Sequence, residues 1–312
     1  MKTHPISTHR IMTQPTWWVG TLASVVLAAC GGGGSDDGGS NVSNAIVTTA
    51  SATPVRYGET MTITLVGTGL DAALTLSSPG CRNFARSTTA PLASSATTAY
   101  YTCTVSGATG DQQVTVTGGS AVLTRVSFST PVPQVTMLLS NGAGVSGSVV
   151  ITLNPTAAPI TVDNFLAYVR SGFYNGTVFH RYFPGFVMQG GGFAGPMTVA
   201  GGLGTAKPTN APIVLEDNAG LSNQRLTVSM ARLNTADSAT SQFFINLANN
   251  TSLDRSAAAR GYAVFGTVTA GEDVITAAGS APCVSWAGLF GPGDLSCLHT
   301  PNIAIANATQ TR

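Results

Sequence analysis

The residues best suited to chemistry lie in one short stretch, FHRYFPGFVMQGGG, at residues 179–192. It combines an arginine, a histidine and a glutamine with four aromatic side chains and three consecutive glycines. An arginine among aromatic side chains is costly to bury unless its donors bind something. Arg181 is therefore the first candidate for a functional residue. His180 is a candidate general base, and the glycines are a candidate phosphate cradle.

The elements that must position these residues are two short strands joined at a Pro-Gly corner. The first is predicted over residues 178–182, and the second is predicted to break into a glycine hinge at residues 190–192. Strand alternation places Phe179 and Arg181 on one face and His180 on the other. We interpret His180 as a structural hydrogen-bonding residue. The glycines are interpreted as a bend because no helix follows them to receive a phosphate.

A helix is predicted just before this stretch, over Pro159–Gly172. Thr161 is its predicted N-cap, Asp163 suits its first turn, and Gly172 closes it. Its predicted buried face has three apolar residues, Val162, Phe165 and Val169.

A formal G-x-G-x-x-G motif at residues 142–147 lies between two predicted strands, residues 135–139 and 149–153. A dinucleotide site requires a helix after these glycines. Here a strand follows directly, so we interpret the glycines as the turn of a hairpin.

The region before residue 134 has a different pattern, with short alternating strands separated by Gly-rich turns. Predicted strands include residues 61–66, 100–105 and 113–117. This pattern predicts a small antiparallel sandwich, immunoglobulin-like, over residues 45–130. It contains no catalytic constellation and is interpreted as a spacer or interaction module. A proline-containing linker at residues 130–133 leads to a second domain, residues 134–312.

The N-terminal segment has the pattern of an export signal. Lys2 and Arg10 precede an apolar stretch, residues 17–27, which is too short to span a bilayer. The ending LAAC at residues 27–30 resembles the lipobox of a bacterial lipoprotein. The resemblance implies a signal peptide over residues 1–29, a lipid on Cys30 and a flexible tether over residues 30–44. Gly31 favours the outer membrane, facing the periplasm. The alternative is an ordinary secretory signal with a chance cysteine.

The charge balance excludes a nucleic-acid partner. Without Lys2 and Arg10 the chain keeps 12 of its 14 basic residues against 13 acidic ones. The mature protein would therefore be close to neutral, with Lys207 as its only lysine. No basic stripe is present to contact phosphates.

Four cysteines remain once Cys30 is assigned to the lipid. The simplest pairing is local, Cys81–Cys103 and Cys283–Cys297, which suits an exported protein. Free buried thiols are the alternative. The spacings do not suit a metal site, and only two histidines, at 180 and 299, follow the signal.

Three motifs in order resemble a cyclophilin-type peptidyl-prolyl cis-trans isomerase of the bacterial kind. They are FHRYFPGFVMQGG, SQFFIN at residues 241–246 and YAVFG at residues 262–266, and the resemblance runs from about Val135 to Ala306. It implies a mainly β fold, an eight-stranded antiparallel barrel with a helix capping each open end. The second cap would be residues 271–277. The interior of such a barrel is packed, so the site is expected on its outer face.

The resemblance also implies the roles of the site residues. Arg181 would be catalytic, stabilising a twisted X-Pro amide. The substrate-binding residues would be Phe186, Val187, Gln189, Ala231, Arg232, Gln242, Phe244, Leu253 and Tyr262. The resemblance implies no metal or organic cofactor. The expected partners are proline-containing unfolded or flexible segments of exported proteins, and we expect a monomer.

Four positions depart from the pattern of well-known family members. Val187 stands where methionine is usual, Ser252 where Trp or Phe flanks the pocket, Tyr262 where eukaryotic members have histidine, and Leu226 where glycine is usual in a turn. Ser252 predicts weak cyclosporin sensitivity. Two functions remain open, an active isomerase and a catalytically weak peptide-binding or chaperone module. A third possibility is that residues 45–130 recruit partners.

Overall fold

The computed structural model describes residues 44–217, 220–286 and 295–312. The described residues form one compact unit. The predictions for the signal peptide, for Cys30 and for all of the tether except Asn44 lie outside them. Among the described residues, no helix has the length and apolar character needed to cross a membrane.

The N-terminal part is a seven-stranded sandwich. Its strands are β1 (Ile46–Ala52), β2 (Thr60–Thr68), β3 (Leu74–Ser77), β4 (Cys81–Arg86), β5 (Thr98–Val105), β6 (Gly110–Gly118) and β7 (Ala121–Thr130). They form two sheets with orders β1-β2-β5-β4 and β3-β6-β7. This is the strand order of a constant-type immunoglobulin domain, so the predicted class is confirmed. The Cys81–Cys103 disulfide forms as predicted and joins neighbouring strands of one sheet.

The C-terminal part is a barrel with a smaller hairpin attached. Its strands are β8 (Gln134–Ser140), β9 (Ser146–Leu153), β10 (Thr177–Phe183), β11 (Val187–Ala194), β12 (Thr205–Ala206), β13 (Thr227–Met230), β14 (Phe243–Asn246), β15 (Val264–Ala270), β16 (Cys283–Ser285), β17 (Cys297–His299) and β18 (Ala304–Gln310). The order β11-β14-β13-β15-β9-β8-β18-β10 closes where β10 pairs with β11. The predicted eight-stranded antiparallel barrel is therefore confirmed.

The barrel interior is filled by aromatic and aliphatic side chains. Phe165, Phe179, Phe243 and Phe265 are fully buried in one cluster. The ring of Phe165 lies 4.9 Å from that of Phe265 and 5.6 Å from that of Phe243. Such a packed interior leaves only the outer surface for a binding site.

The first capping helix, α1 (Pro159–Arg170), starts earlier than a Thr161 N-cap requires. Thr161 lies within the first turn, and its backbone N and Oγ1 each donate to Glu216 Oε2 at 2.7 Å. A carboxylate from a distant segment thus satisfies the helix terminus. The Thr161 N-cap prediction was wrong because the helix already starts at Pro159. The carboxylate that accepts from Thr161 is 55 residues away, so the local sequence did not indicate it. The second helix, α2 (Glu272–Ser280), starts after Gly271 and extends beyond the predicted end.

The glycines at 190–192 do not form a hinge, because β11 continues through them to Ala194. Their small size serves close packing instead. A side chain at Gly190 would meet Phe179, and one at Gly191, where φ is +82°, would meet Tyr174 and Phe243. The strand therefore does not end at these glycines, as a hinge would require. Its pairing with β10 is irregular there, since Phe179 pairs with Gly190 and Thr177 with Ala194.

Strand β10 contains a bulge between Phe179 and Arg181. Phe179 pairs with Gly190 while Arg181 pairs with Gln189, so β10 has one extra residue. Phe179 and Tyr182 both lie in the barrel core, which regular alternation forbids for residues three apart. Arg181 lies outside that core, so the prediction that it shares a face with Phe179 was wrong.

Leu226 occupies the turn before β13 in a left-handed conformation, with φ +68°. Its N–H donates to the Asn246 carbonyl and its carbonyl accepts from Val268 N, both at 2.8 Å. Leu226 therefore keeps both backbone hydrogen bonds in a left-handed conformation. Leucine adopts the conformation that glycine favours, at a cost of about 1–2 kcal/mol.

The sandwich contacts the barrel through α1. The Tyr57 hydroxyl donates to Asp163 Oδ1 at 2.9 Å and accepts from Gly107 N at 2.9 Å. Arg170 Nη2 donates to the Tyr57 carbonyl at 2.6 Å, and Arg82 forms an ion pair with Asp163 at 3.3 Å. Burial and the neighbouring Asp163 raise the pKa of Tyr57, which keeps its hydroxyl protonated as a donor.

Candidate functional site

Three predicted site residues form a row across neighbouring strands. Arg181 on β10 pairs with Gln189 on β11, which pairs with Phe244 on β14. Directly paired residues project from the same face of a sheet. All three lie outside the barrel core cluster. The row therefore places a guanidinium, an amide and an aromatic ring side by side on the outer face of the barrel.

Arg181 is half-buried and is oriented by a serine that the sequence did not indicate. Its Nε donates to Ser296 Oγ at 2.8 Å. Ser296 is 1% exposed and directly precedes Cys297, whose strand pairs with Tyr182 of β10. Its position beside a predicted disulfide cysteine was the only available signal, and that position says nothing about a contact 115 residues away.

The two glutamines of the site contact each other. Gln189 Nε2 donates to Gln242 Oε1 at 3.0 Å. The carbonyl of Gln242 accepts from Ala231 N at 2.9 Å, which joins the predicted Ala231 position to the same group. A Cβ at Gly192 would lie 2.7 Å from Gln242, so glycine at this position leaves room for the amide.

An aromatic wall continues from Phe244. The Tyr262 ring lies 5.4 Å from the Phe244 ring in an edge-to-face arrangement. The Arg232 guanidinium covers Tyr262 at 4.7 Å and donates from Nε to the Gly261 carbonyl at 3.0 Å. Arg232 therefore supports the wall by packing on it.

Phe186 and Leu253 are linked through one asparagine. The Phe186 carbonyl accepts from Asn250 Nδ2 and from Leu247 N, both at 2.8 Å. Leu253, at the end of a 3₁₀ turn (Thr251–Leu253), donates from its backbone N to the Asn250 carbonyl at 2.8 Å. Asn250 therefore holds two walls of the predicted proline pocket in fixed relation.

A chain of polar side chains extends from Asn250 beneath the site. Asn250 Nδ2 donates to Asn246 Oδ1 at 2.8 Å, and Asn246 Nδ2 donates to Asn223 Oδ1 at 3.2 Å. Asn223 Nδ2 in turn donates to Asp254 Oδ1 at 2.8 Å. Burial acts to raise the pKa of Asp254, yet the hydrogen bonds it accepts bring the pKa below its usual value. No motif indicated this network in the sequence.

Val187 and Met188 face opposite sides of β11. Val187 is 3% exposed and lies outside the core cluster, whereas Met188 is fully buried within it. Met188 therefore does not substitute for the usual methionine, as strand alternation predicts. Ser252 is exposed on the 3₁₀ turn, so it offers no ring to flank the pocket.

His180 is buried away from solvent rather than placed as a base. It is 1% exposed, and its ring contacts Phe193 edge-to-face at 4.9 Å. Burial lowers its pKa to about 4, so the imidazole is neutral at physiological pH. The structural interpretation of His180 agrees with this environment.

All ten predicted catalytic and substrate-binding residues thus lie in one connected region at the ends of β10, β11 and β14. Its permanent charges are the guanidiniums of Arg181 and Arg232, which donate hydrogen bonds and do not act as general acids or bases. Amides beside it can bind an extended peptide, and the aromatic wall can hold an apolar ring.

This outer-face site on a closed eight-stranded barrel with two capping helices defines a cyclophilin-like protein. The family model for cyclophilin type peptidyl-prolyl cis-trans isomerases matches residues 136–286. Peptidyl-prolyl cis-trans isomerase A of Dickeya dadantii is 47% identical over 156 residues, 49% of this chain and 77% of the relative. The chain therefore belongs to the cyclophilin-type peptidyl-prolyl cis-trans isomerase family and is an enzyme of that activity.

Two other relatives have a similar identity to this chain. The isomerase cyp18 of Streptomyces antibioticus is 50% identical over 135 residues, which are 42% of this chain and 77% of that protein. Isomerase B of Escherichia coli is 46% identical over 132 residues, 41% of this chain and 76% of that protein. Among solved structures, a Cryptosporidium parvum cyclophilin covers 58% of this chain and 98% of its own, with TM-score 0.43 and 21% identity. That last likeness adds nothing to the assignment.

Proposed function

We propose that this isomerase acts on X-Pro bonds of exported bacterial proteins and assists their folding, with Arg181 stabilising the twisted amide. The row formed by Arg181, Gln189 and Phe244 carries this proposal, because it places a cation beside a hydrogen-bonding amide and an aromatic ring on the other side of that amide.

The chemistry requires a donor and an anchor, with no covalent step. Rotation about an X-Pro bond crosses a barrier of about 20 kcal/mol because amide resonance resists twisting. In the twisted state the prolyl nitrogen becomes pyramidal and gains a lone pair. A guanidinium donating to that nitrogen stabilises the twisted state over the planar one, which is what rate enhancement requires.

The remaining site residues hold the substrate while one side of the bond rotates. Phe186, Phe244 and Leu253 would enclose the proline ring. Gln242 and the backbone at Ala231 would bind the residue before proline. The partners are therefore proline-containing segments of unfolded or flexible chains.

We place the protein in the bacterial cell envelope, anchored by a lipid on Cys30 and facing the periplasm. The two disulfides, Cys81–Cys103 and Cys283–Cys297, support export because such bonds persist in oxidising compartments. Fractionation of cells into soluble and membrane parts tests this proposed location. The wild-type chain should be found with membranes, and Cys30→Ser should release it; equal membrane association of both would contradict the lipid anchor.

The alternative is a catalytically weak peptide-binding or chaperone module. The exposed Ser252 favours it, because one flank of the proline pocket lacks a ring. Valine at 187 favours it as well, since a shorter side chain leaves more room beside Phe186.

Isomerisation of an X-Pro peptide by the purified full chain in mild detergent, followed by NMR exchange, separates the two functions. We expect catalysis by the wild type and a loss of roughly 100-fold or more in Arg181→Ala. Arg125→Ala, which removes an exposed arginine of the sandwich, is the matched control and should keep the wild-type rate. Peptide binding without any acceleration by the wild type would support the chaperone alternative instead.

A further inference from the structure

The catalytic arginine candidate has a partner from outside the barrel. Arg181 Nε donates to Ser296 Oγ at 2.8 Å, and Ser296 is buried whereas Arg181 is half-buried. Ser296 comes from the segment after α2, whereas Gln189 and Phe244 belong to barrel strands. The contact therefore depends on how that added segment is held.

The β16–β17 hairpin holds Ser296 beside β10. Val284 pairs with Leu298 and Ser285 with Cys297, and the Cys283–Cys297 disulfide crosses the hairpin. The hairpin in turn pairs with β10 through Cys297 and Tyr182.

Ser296 itself is fixed by its backbone. Its carbonyl accepts from Trp286 N at 2.9 Å, and Trp286 is 7% exposed within a small apolar cluster. Backbone pairing, a covalent bridge and a buried indole thus fix the position of one hydroxyl.

We propose that Ser296 is a positioning residue for the isomerisation, acting through Arg181. An arginine side chain has several rotatable bonds, and a hydrogen bond donated from Nε to a fixed acceptor holds the plane of the whole guanidinium. Fixing that plane sets the direction of its terminal donors toward the prolyl nitrogen. Small misplacements of a catalytic group have large effects on rate. The inference rests on the proposed role of Arg181.

Substitution of Ser296 tests the proposal in the full chain. Ser296→Ala should lower kcat for an X-Pro peptide roughly tenfold, since it removes one hydrogen bond to a charged group. The peptide Kd should stay within about twofold, because the aromatic wall is unchanged. Ser296→Thr keeps the hydroxyl and should restore most of the rate. Ser285→Ala, an exposed serine of the same hairpin, is the matched control and should be silent.

A spectroscopic readout separates positioning from general loosening. The Arg181 Nε–H resonance, assigned by its absence in Arg181→Ala, should exchange slowly with solvent in the wild type and in Ser296→Thr. It should exchange faster in Ser296→Ala. Barrel-core amide protons should keep their protection in all of these variants.

Removal of each disulfide by substitution gives a second test of the proposal, with its own control. Cys283→Ala/Cys297→Ala should lower kcat, and adding Ser296→Ala should cause little further loss. Cys81→Ala/Cys103→Ala removes the sandwich disulfide and should leave kcat unchanged. Equal losses from the two double variants would overturn the role of the hairpin.

The outcomes distinguish this inference from the proposed function. If Arg181→Ala keeps the wild-type rate, the guanidinium mechanism fails, and the role of Ser296 fails with it. If Arg181→Ala loses activity while Ser296→Ala retains the wild-type kcat and slow Nε–H exchange, only the role of Ser296 is overturned.

Discussion

Arg181 supplies a positive charge that is present at every physiological pH, so what the protein must control is its direction. A hydrogen bond from a distant part of the chain contributes to that control, since Ser296 accepts from the Nε of Arg181. Gln189 pairs with Arg181 on the neighbouring strand β11. A lysine at 181 would keep the charge and lose the planar fork, so it would be a poorer replacement than its charge suggests.

His180, next to that arginine, gives the protein a defined acid sensitivity. Burial lowers its pKa from 6.5 to about 4, so the unfolded chain binds more protons between these values. Stability should therefore be complete above about pH 6.5 and fall as the pH drops toward 4. Between pH 7 and pH 5 the loss from this one group is on the order of 2 kcal/mol.

Urea unfolding at pH 7 and at pH 5 measures this effect. His180→Gln should lose less stability between the two pH values than the wild type. His299, whose pKa is also lowered by burial, contributes with the same sign, so the double variant should lose least. Equal losses in wild type and His180→Gln would show that His180 is not buried in its neutral form.

Motifs predicted the residues of the site that lie within short segments, such as Arg181, Gln189 and Phe244. They did not predict Ser296 or Asn250, which orient those residues from elsewhere. The Ser296 contact joins residues 115 apart, and the Asn250 contact to Phe186 joins residues 64 apart. A hydrogen bond between distant segments depends on the closed fold, which no local pattern encodes.

At the scale of elements, α1 and the first barrel strands followed from local sequence patterns, and the closed barrel with its second helix followed from the family resemblance. The details at the irregularities of these elements followed from neither. The bulge in β10 reverses the face of Arg181 relative to Phe179. Alternation predicts faces only within a regular strand. Glycine can turn the chain or allow close packing within a strand. In β11 the close neighbours of these glycines in the fold show the second use, and the sequence alone does not show those neighbours.

At two element boundaries, the start of α1 and the turn before β13, the local sequence preference does not decide the structure. Glu216 caps α1 from a distant segment, so no residue near the start of the helix indicated the cap. Leu226 keeps a left-handed turn although it is not glycine, so the turn survives a residue that disfavours it. In both cases tertiary contacts override the local preference.

At the scale of the molecule, the sandwich and the barrel share a polar contact around Tyr57. Its hydroxyl is the donor to Asp163 on α1 and the acceptor for Gly107 N. Tyr57 itself is fully buried within the barrel's core cluster. The sandwich therefore contributes to the stability of the catalytic part.

Tyr57→Phe tests this contribution, since it removes only the hydroxyl. It should lower the free energy of unfolding by about 1–3 kcal/mol, because two partly buried groups lose their partner. Tyr100→Phe, on a half-buried tyrosine of β5, is the control and should change stability little. An unchanged urea midpoint for Tyr57→Phe would show that the contact does not stabilise the native state.

The same contact changes how the sandwich should be studied. Deleting residues 45–130 would uncover Arg170 and Asp163 and remove a residue of the barrel core. A loss of activity after deletion would then report unfolding as readily as a lost partner site. Substitutions on the exposed faces of the sandwich are the better test of partner recruitment.

The position of β18 in the chain determines when the barrel can close, and its residue Gln310 also contacts the sandwich. Gln310 Nε2 donates to the Tyr57 carbonyl at 3.0 Å, across 253 residues of sequence. β18 also supplies the pairing between β8 and β10 that the barrel needs to close. During synthesis, β8 and the site strand β10 each keep an unpaired edge until β18 has been made. The barrel can therefore close only after β18 has been made, when its seven other strands are already present.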